Sequence, residues 1–210
     1  VSRGFDDHTK LFFPEPGGAF APPQVTEEGI DWGEGVRPAT RDYTPLYDAE
    51  RHELAYDFFI HDGGIASRWA LEAKVGDKLV IGGPRGSLVV PEDYAWQLYV
   101  CDESGMPALR RRLLGLRQLA VTPQVTAIVT IADASYKDYL ADLDGFNIEW
   151  VVGHNPAFVA ERLAQVKVPA EDYFIWLTGE GAVVKSLLAR FEDESIDQQL
   201  VRSQAYWHSK

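Results

Sequence analysis

The chain has one cysteine, Cys101, and one methionine, Met106, among 210 residues. A lone thiol forms no internal disulfide and builds no thiolate cage for zinc or an iron–sulfur cluster. Redox chemistry on this chain would therefore need an organic cofactor. Long apolar runs are missing as well: no stretch approaches the roughly 18 to 20 uninterrupted apolar residues of a membrane span, and no basic segment leading into an apolar one marks an export signal. The cytoplasm is the expected compartment. Positive charge is scarce, with 20 Lys and Arg against 32 Asp and Glu and a formal net charge of -12. Nucleic acid is thus not an expected partner, because binding its phosphates needs a concentrated basic surface. An anionic ligand would need a local basic pocket. His8, His52, His154 and His208 lack metal-ligand spacing with one another or with paired carboxylates, so no protein-held metal is expected.

With 46% hydrophobic and 25% charged residues, the length allows one large core or two modest ones. The early part is rich in glycine and proline (Pro14, Pro16, Gly17, Gly18, Pro22, Pro23) and holds short apolar runs such as Lys10 to Phe13. Strands joined by long loops suit that composition. Leu54 to His61 and Lys78 to Gly82 are expected strands, with a short helix from Ala66 to Ala73 after a Gly-Gly pair. From Trp96 the pattern alternates: strand to Cys101, helix Ser104 to Leu116, strand Val125 to Ile131, strand Ile148 to Val152, helix Pro156 to Val166, strand Tyr173 to Leu177, helix Gly181 to Phe191. Such alternation predicts a parallel sheet covered by helices. The expected organisation is α+β in two domains, an all-β part over 1–93 and an α/β part over 94–210, meeting near Pro91 to Tyr94.

Three clusters in the first part could carry chemistry. Arg41-Asp42-Tyr43-Thr44 lies beside an expected strand, with Arg41 and Tyr43 on one face and Thr44 on the other. An arginine can pair with a pyrophosphate, a tyrosine can lie along a flavin, and a threonine hydroxyl can bond the ring nitrogen that accepts hydride. The same four residues also fit a plain strand with a surface arginine and a packed tyrosine. His61-Asp62-Gly63-Gly64-Ile65-Ala66-Ser67-Arg68-Trp69-Ala70 puts a glycine turn before a helix start, where free amides bind anions. It fits equally a strand-to-helix turn with Ser67 capping and Trp69 in the core. Gly82-Gly83-Pro84-Arg85-Gly86-Ser87 is, by itself, ordinary turn chemistry.

Taken together and in this order, the three clusters resemble the FAD-binding domain of siderophore-interacting proteins, a branch of the ferredoxin-reductase superfamily with the patterns R-x-Y-T, H-x-x-G-x-A-x-x-W-A and G-P-R-G-S. Asp6 to Pro14 resembles the family's D-D-H-x-K-L segment, and Cys101-Asp102-Glu103-Ser104-Gly105-Met106-Pro107-Ala108 its entry into the nucleotide domain. Phe174 to Glu180 resembles a late F-x-W-x-x-G-E, and Tyr206-Trp207 a closing Y-W. Three features depart from the pattern: Leu46 stands where many members have a second arginine, Cys101 replaces a glycine, and His208-Ser209-Lys210 follow Trp207. Few residues precede Asp6, where the family's barrel has further strands, which leaves open whether residues are missing from the front.

The resemblance implies an N-terminal antiparallel β-barrel that binds FAD, then an α/β parallel-sheet domain for NADPH or NADH. It also implies electron delivery to siderophore-bound Fe(III). A general flavin or ferredoxin-type reductase, or a non-catalytic binding module for FAD or a siderophore, are the alternatives, and ferredoxin is a further possible partner. Implied cofactor contacts are Arg41, Tyr43, Thr44, His61, Ala66, Ser67, Trp69, Arg85, Ser87, Asp102, Glu103, Ser104, Gly179, Glu180 and Trp207, with Thr44 nearest the chemistry. Asp102 and Glu103 would repel phosphates, so ribose or nicotinamide is the expected contact there. Phe174 and Trp176 are expected in the core. Glu180 is expected to open the following helix. Lys10, Arg110 and Lys185 are candidates for guiding a ferric complex, although the run Arg110-Arg111-Arg112 also fits a solvated helix face, expected for at least two of the three.

Overall fold

The computed structural model describes residues 2–14, 23–27, 29–31, 33, 38–84 and 86–209. The chain divides into two compact units, Val1–Val89 and Val90–Lys210. The first contains β1 (Thr9–Phe13), β2 (Gln24–Thr26), β3 (Gly29–Asp31), β4 (Ala39–Tyr43), β5 (Leu46–Asp48), β6 (Glu53–Ala55), α1 (Ile65–Glu72) and β7 (Val80–Gly82). β1 is the centre of an antiparallel sheet ordered β4-β1-β7, with Thr9 opposite Tyr43, Lys10 opposite Asp42 and Leu11 opposite Arg41. Central position explains the sequence of β1: Leu11, Phe12 and Phe13 are all buried, and only Lys10 reaches solvent. Leu11, Phe13 and Ala66 form the core of this unit, packed by Tyr43, Tyr56, Phe58, Ile65, Trp69 and Leu79.

The expected strand over Leu54 to His61 is shorter than the sequence suggests. Only Glu53–Ala55 pairs, as a hairpin with β5. Beyond it, the Tyr56 hydroxyl meets Thr9 Oγ1 at 2.8 Å and Phe58 packs on Tyr43 and Trp69. These side chains serve the core while their backbone joins no ladder.

The second unit holds β8 (Trp96–Cys101), α2 (Met106–Leu116), β9 (Gln124–Ile131), β10 (Asn147–Val152), α3 (Pro156–Gln165), β11 (Tyr173–Glu180), α4 (Gly181–Leu188) and β12 (Val201–Trp207). All five strands run parallel, in the order β10-β9-β8-β11-β12. Every residue of β8 is buried, as expected of a central parallel strand covered on both faces. Leu98, Val100, Ile175 and Leu177 face Val159, Leu163, Val184 and Leu187 in one layer. On the other, Tyr99 packs on Phe174 and Trp176, and Trp176 on Tyr206. Phe174 and Trp176 are 3% and 0% exposed, so both are core residues.

The arginine run is not the solvated face expected for it. Arg112 is buried against the sheet, Arg111 is half-buried, and Arg110 pairs with both carboxylate oxygens of Asp142 at 2.5 and 2.8 Å. The helical period turns Leu109, Arg112, Leu113 and Leu116 toward the strands. Arginine is tolerated there because polar acceptors await it: Tyr99 Oη at 2.7 Å, Gln97 Oε1 at 3.0 Å, and the carbonyls of Val90 and Pro91 at 3.1 and 2.5 Å. No described helix is long and apolar enough to cross a membrane.

Candidate functional site

In the first unit, β4 delivers Arg41 and Tyr43, and the chain then turns through Thr44. Arg41 is exposed, with Nη1 donating to the Thr40 carbonyl at 2.7 Å. The Tyr43 ring lies 4.6 Å from Phe58, and burial raises its phenol above the usual value against the opposing pull of Arg41. Thr44 is 6% exposed, and its hydroxyl has no hydrogen-bond partner among the described residues.

The turn before α1 is built by Gly63, in the left-handed region at φ 73°, and by Gly64, where a Cβ would come within 2.7 Å of the His61 ring. Ser67 does not cap the helix. Its hydroxyl accepts from the His61 backbone N–H at 3.1 Å, tying the two ends of the turn together. Gly64 is the N-cap and supplies no side chain, so the leading amides of α1 stay available to an anion. Ala66 is buried, and Trp69 packs edge-on to Phe13 at 5.9 Å. The outward groups of this cluster are therefore Arg41, His61 and the start of α1. An uncapped helix start, an exposed guanidinium on the same sheet and an unpartnered hydroxyl fit a pyrophosphate-bearing flavin nucleotide. Ser87 accepts from the Arg3 N–H at 3.1 Å and donates to Asp7, which also takes Ser2 Oγ at 2.8 Å and Gly4 N at 3.0 Å. Arg85 lies outside the described residues.

In the second unit, the strand order reverses direction between β8 and β11, the place where open α/β sheets bind nucleotides at their carboxyl ends. Asp102 sits there, 7% exposed. One of its oxygens accepts from the Ser104 N–H at 2.9 Å and from the Ser104 hydroxyl, and the other from Glu180 N at 3.1 Å and Trp207 Nε1 at 2.8 Å. Ser104 is thus not the cap of α2. Asp102 caps the short turn Glu103–Gly105 that leads into it. Gly179 has φ 136°, and a Cβ on it would lie 2.6 Å from Asp102 Oδ2, so only glycine permits this approach.

Glu103 accepts from Ala132 N at 2.6 Å and meets His154 Nε2 at 2.6 Å. Glu180 caps α4 through Ala182 N and Val183 N at 2.7 and 3.0 Å and also holds Ser209. The geometry therefore gathers Asp102, Ser104, Gly179, Glu180 and Trp207 around one carboxylate, with Glu103 beside them. Of the cations proposed for substrate, Lys10 pairs with Asp42 at 2.8 Å and Arg110 with Asp142, while Lys185 is exposed on α4. Sequence reasoning assigned no role to Asp7 or His154. Asp7 lay inside a quoted motif, but its pairing with Ser2, Gly4 and Ser87 is a contact of the assembled fold that the motif does not reveal. His154 follows Gly153 in the left-handed region and carries no pattern of its own.

Both units match known families. A profile of the siderophore-interacting FAD-binding domain matches residues 1–88, and one of the siderophore-interacting protein matches residues 94–210. The chain belongs to the siderophore-interacting protein family. It is 68% identical over 210 residues to the NADPH-dependent ferric-chelate reductase of Escherichia coli strain K12, covering 100% of this chain and 82% of that protein. The crystal structure of a siderophore utilization protein from T. fusca superposes with a TM-score of 0.85 at 29% identity, over 99% of this chain and 81% of that one. The fold is that of the ferredoxin reductases: the enzyme of Neisseria gonorrhoeae superposes with a TM-score of 0.62 at 15% identity, over 95% of this chain and 85% of that one.

Proposed function

We propose that this chain is an FAD-dependent ferric-siderophore reductase of the cytoplasm that draws electrons from NADPH and releases iron as Fe(II). The observation that carries the reading is the 68% identity, along the whole chain, to a reductase named for NADPH and ferric chelates. The uncapped start of α1, beside the Arg41 to Thr44 segment in a unit matched by a FAD-binding profile, supports it.

FAD, when bound, supplies acceptance of a hydride from nicotinamide and onward delivery of single electrons. The chain's own groups bind and orient. Arg41, with the amides that open α1, opposes the pyrophosphate charge. Tyr43 would flank the ribityl and ring, and the Thr44 hydroxyl would be the donor to the ring nitrogen that takes up hydride. His61, Ala66, Ser67 and Trp69 hold that turn, and Arg85 would complete the phosphate side, whereas the Ser87 hydroxyl is committed to Asp7. Glu103 and Glu180, with Asp102, Ser104, Gly179 and Trp207, form the nicotinamide half, over domains proposed as 1–93 and 94–210. Lys185 is the strongest candidate to guide the ferric complex, since Lys10 and Arg110 already have carboxylate partners. One NADPH reduces two Fe(III) and leaves NADP⁺, a proton and two Fe(II). The hard oxygen donors of siderophores favour Fe(III), so reduction lowers affinity and frees the metal.

The test is anaerobic. Protein loaded with FAD and freed of excess should keep a flavin band that NADPH bleaches and a ferric siderophore restores. Retention without bleaching would point to ferredoxin as donor or to a binding module, and no retained flavin would overturn the assignment. Thr44→Val should slow bleaching by about tenfold, the effect of one lost hydrogen bond to a developing charge. An unchanged rate would remove Thr44 from that role.

A further inference from the structure

We propose that Asp102 is a positioning residue that binds no ligand itself, and that its carboxylate locks the Trp207 indole as a docking face for the nicotinamide ring. This rests on the reductase reading above. A carboxylate has about four acceptor positions, and those of Asp102 are met by Ser104 N, Ser104 Oγ, Glu180 N and Trp207 Nε1. Nothing remains for a ribose hydroxyl. Three segments far apart in sequence, the ends of β8, β11 and β12, are instead joined through this group.

The local backbone is adapted to that join. Gly179 leaves the space through which Asp102 reaches β11 and β12. The register between β11 and β12 shifts at Gly179/Glu180, so that Ala205 pairs with Gly179 but Trp207, not Tyr206, pairs with Glu180. Such a bulge re-aims a side chain: Tyr206 stays packed on Trp176, and Trp207 meets Asp102. Trp207 nevertheless remains 45% exposed. A half-exposed indole whose N–H is already bonded offers a ligand its π face in a fixed orientation.

The surrounding charge selects what can lie on that face. The helix starts nearby are filled from within, one by Asp102 and the other by Glu180, which accepts from Ala182 N and Val183 N. Amides that would otherwise hold a phosphate are occupied by carboxylates, and their charge repels one. The oxidised nicotinamide ring is flat and positively charged, so both the carboxylates and the indole face favour it.

The experiment uses FAD-loaded protein and compares Asp102→Asn, Trp207→Phe and the double variant. NADP⁺ affinity is measured by calorimetry, and kcat and KM for NADPH by flavin bleaching. Each single change should weaken NADP⁺ binding by about tenfold, the loss of one hydrogen bond to a charged group. The double variant should be no weaker than Asp102→Asn alone, because the second change removes a bond the first has already broken. Near-UV circular dichroism should show the same loss of tryptophan signal in both single variants, with flavin content unchanged. An additive loss of about a hundredfold in the double variant would overturn the proposal by making Asp102 a direct ligand. Unaltered binding in Trp207→Phe, which keeps the rest of the clamp, would overturn it independently of how Asp102→Asn folds. A wild-type protein that binds no NADP⁺ and is not bleached by NADPH fails the reductase reading instead.

Discussion

Replacing Arg112 with leucine removes the hub that joins α2 to β8 and to the segment before it. In the native protein its guanidinium donates to Tyr99 Oη, Gln97 Oε1 and the carbonyls of Val90 and Pro91, at 2% exposure. After the change, Tyr99 and Gln97 still satisfy each other through their own short hydrogen bond. The carbonyls of half-buried Val90 and exposed Pro91 lose their donor, at about 1 kcal/mol each because water can reach them, offset in part by no longer burying a charge. With the lost bonds to Tyr99 and Gln97 added, a net loss of about 2 kcal/mol follows, or about 7 °C in Tm for a unit of this size. Arg112→Lys should recover less than half of it, because a single ammonium cannot span acceptors arranged for a planar fork. Urea unfolding followed by near-UV circular dichroism measures both variants. A leucine variant within about 1 kcal/mol of wild type would refute the reasoning, showing that water replaces the guanidinium at no cost.

The remaining predictions follow from single contacts. Gly179→Ala, at φ 136° and with its Cβ directed onto Asp102, should cost about 2 kcal/mol or more in a melting experiment. Glu180 is held below the usual glutamate value of 4.5, first by Val183 N–H and then by Ser209. Its folded value is depressed, so its contribution is complete above 4.5 and is lost as pH falls through the lowered value. Protection factors at Ala182 and Val183, taken against the intrinsic exchange rate at each pH, should therefore fall in acid, and Glu180→Gln should remove most of that pH dependence. Burial, and then Asp102 and Glu103, push the Cys101 thiol well above its usual 9.0. It should resist alkylation in the native protein and react at once in urea; fast native labelling would contradict its burial.

How far the sequence could be read depended on how local the responsible force was. Trp96–Cys101 is strand over the six residues expected, because a fully buried parallel strand writes its environment into consecutive residues. α3 begins at Pro156 as expected, with Asn155 capping Ala157 N. The strand Val201–Trp207 was not foreseen: VRSQAYW alternates around a half-exposed edge, and its place is fixed by β11, some 25 residues earlier. Arg112 was misjudged for the same reason, since its acceptors on β8 and at Val90 and Pro91 are invisible from the helix. At the site, the motifs fell on residues that the fold brings together at the strand ends, but did not show how those residues bond to one another. That Ser67 fastens a turn, and that Asp102 is saturated by donors from three strand ends, are properties of the assembled fold.

The clasp at Asp7 has a consequence of another kind. Ser2, Gly4 and Ser87 meet on one carboxylate, so positions more than eighty residues apart in the chain are held at a single point. The segment before β1 and the segment after β7 are thereby fastened to each other through one side chain. A change at Asp7 alone would therefore loosen both segments at once, since each gives up its hydrogen bond to the same group.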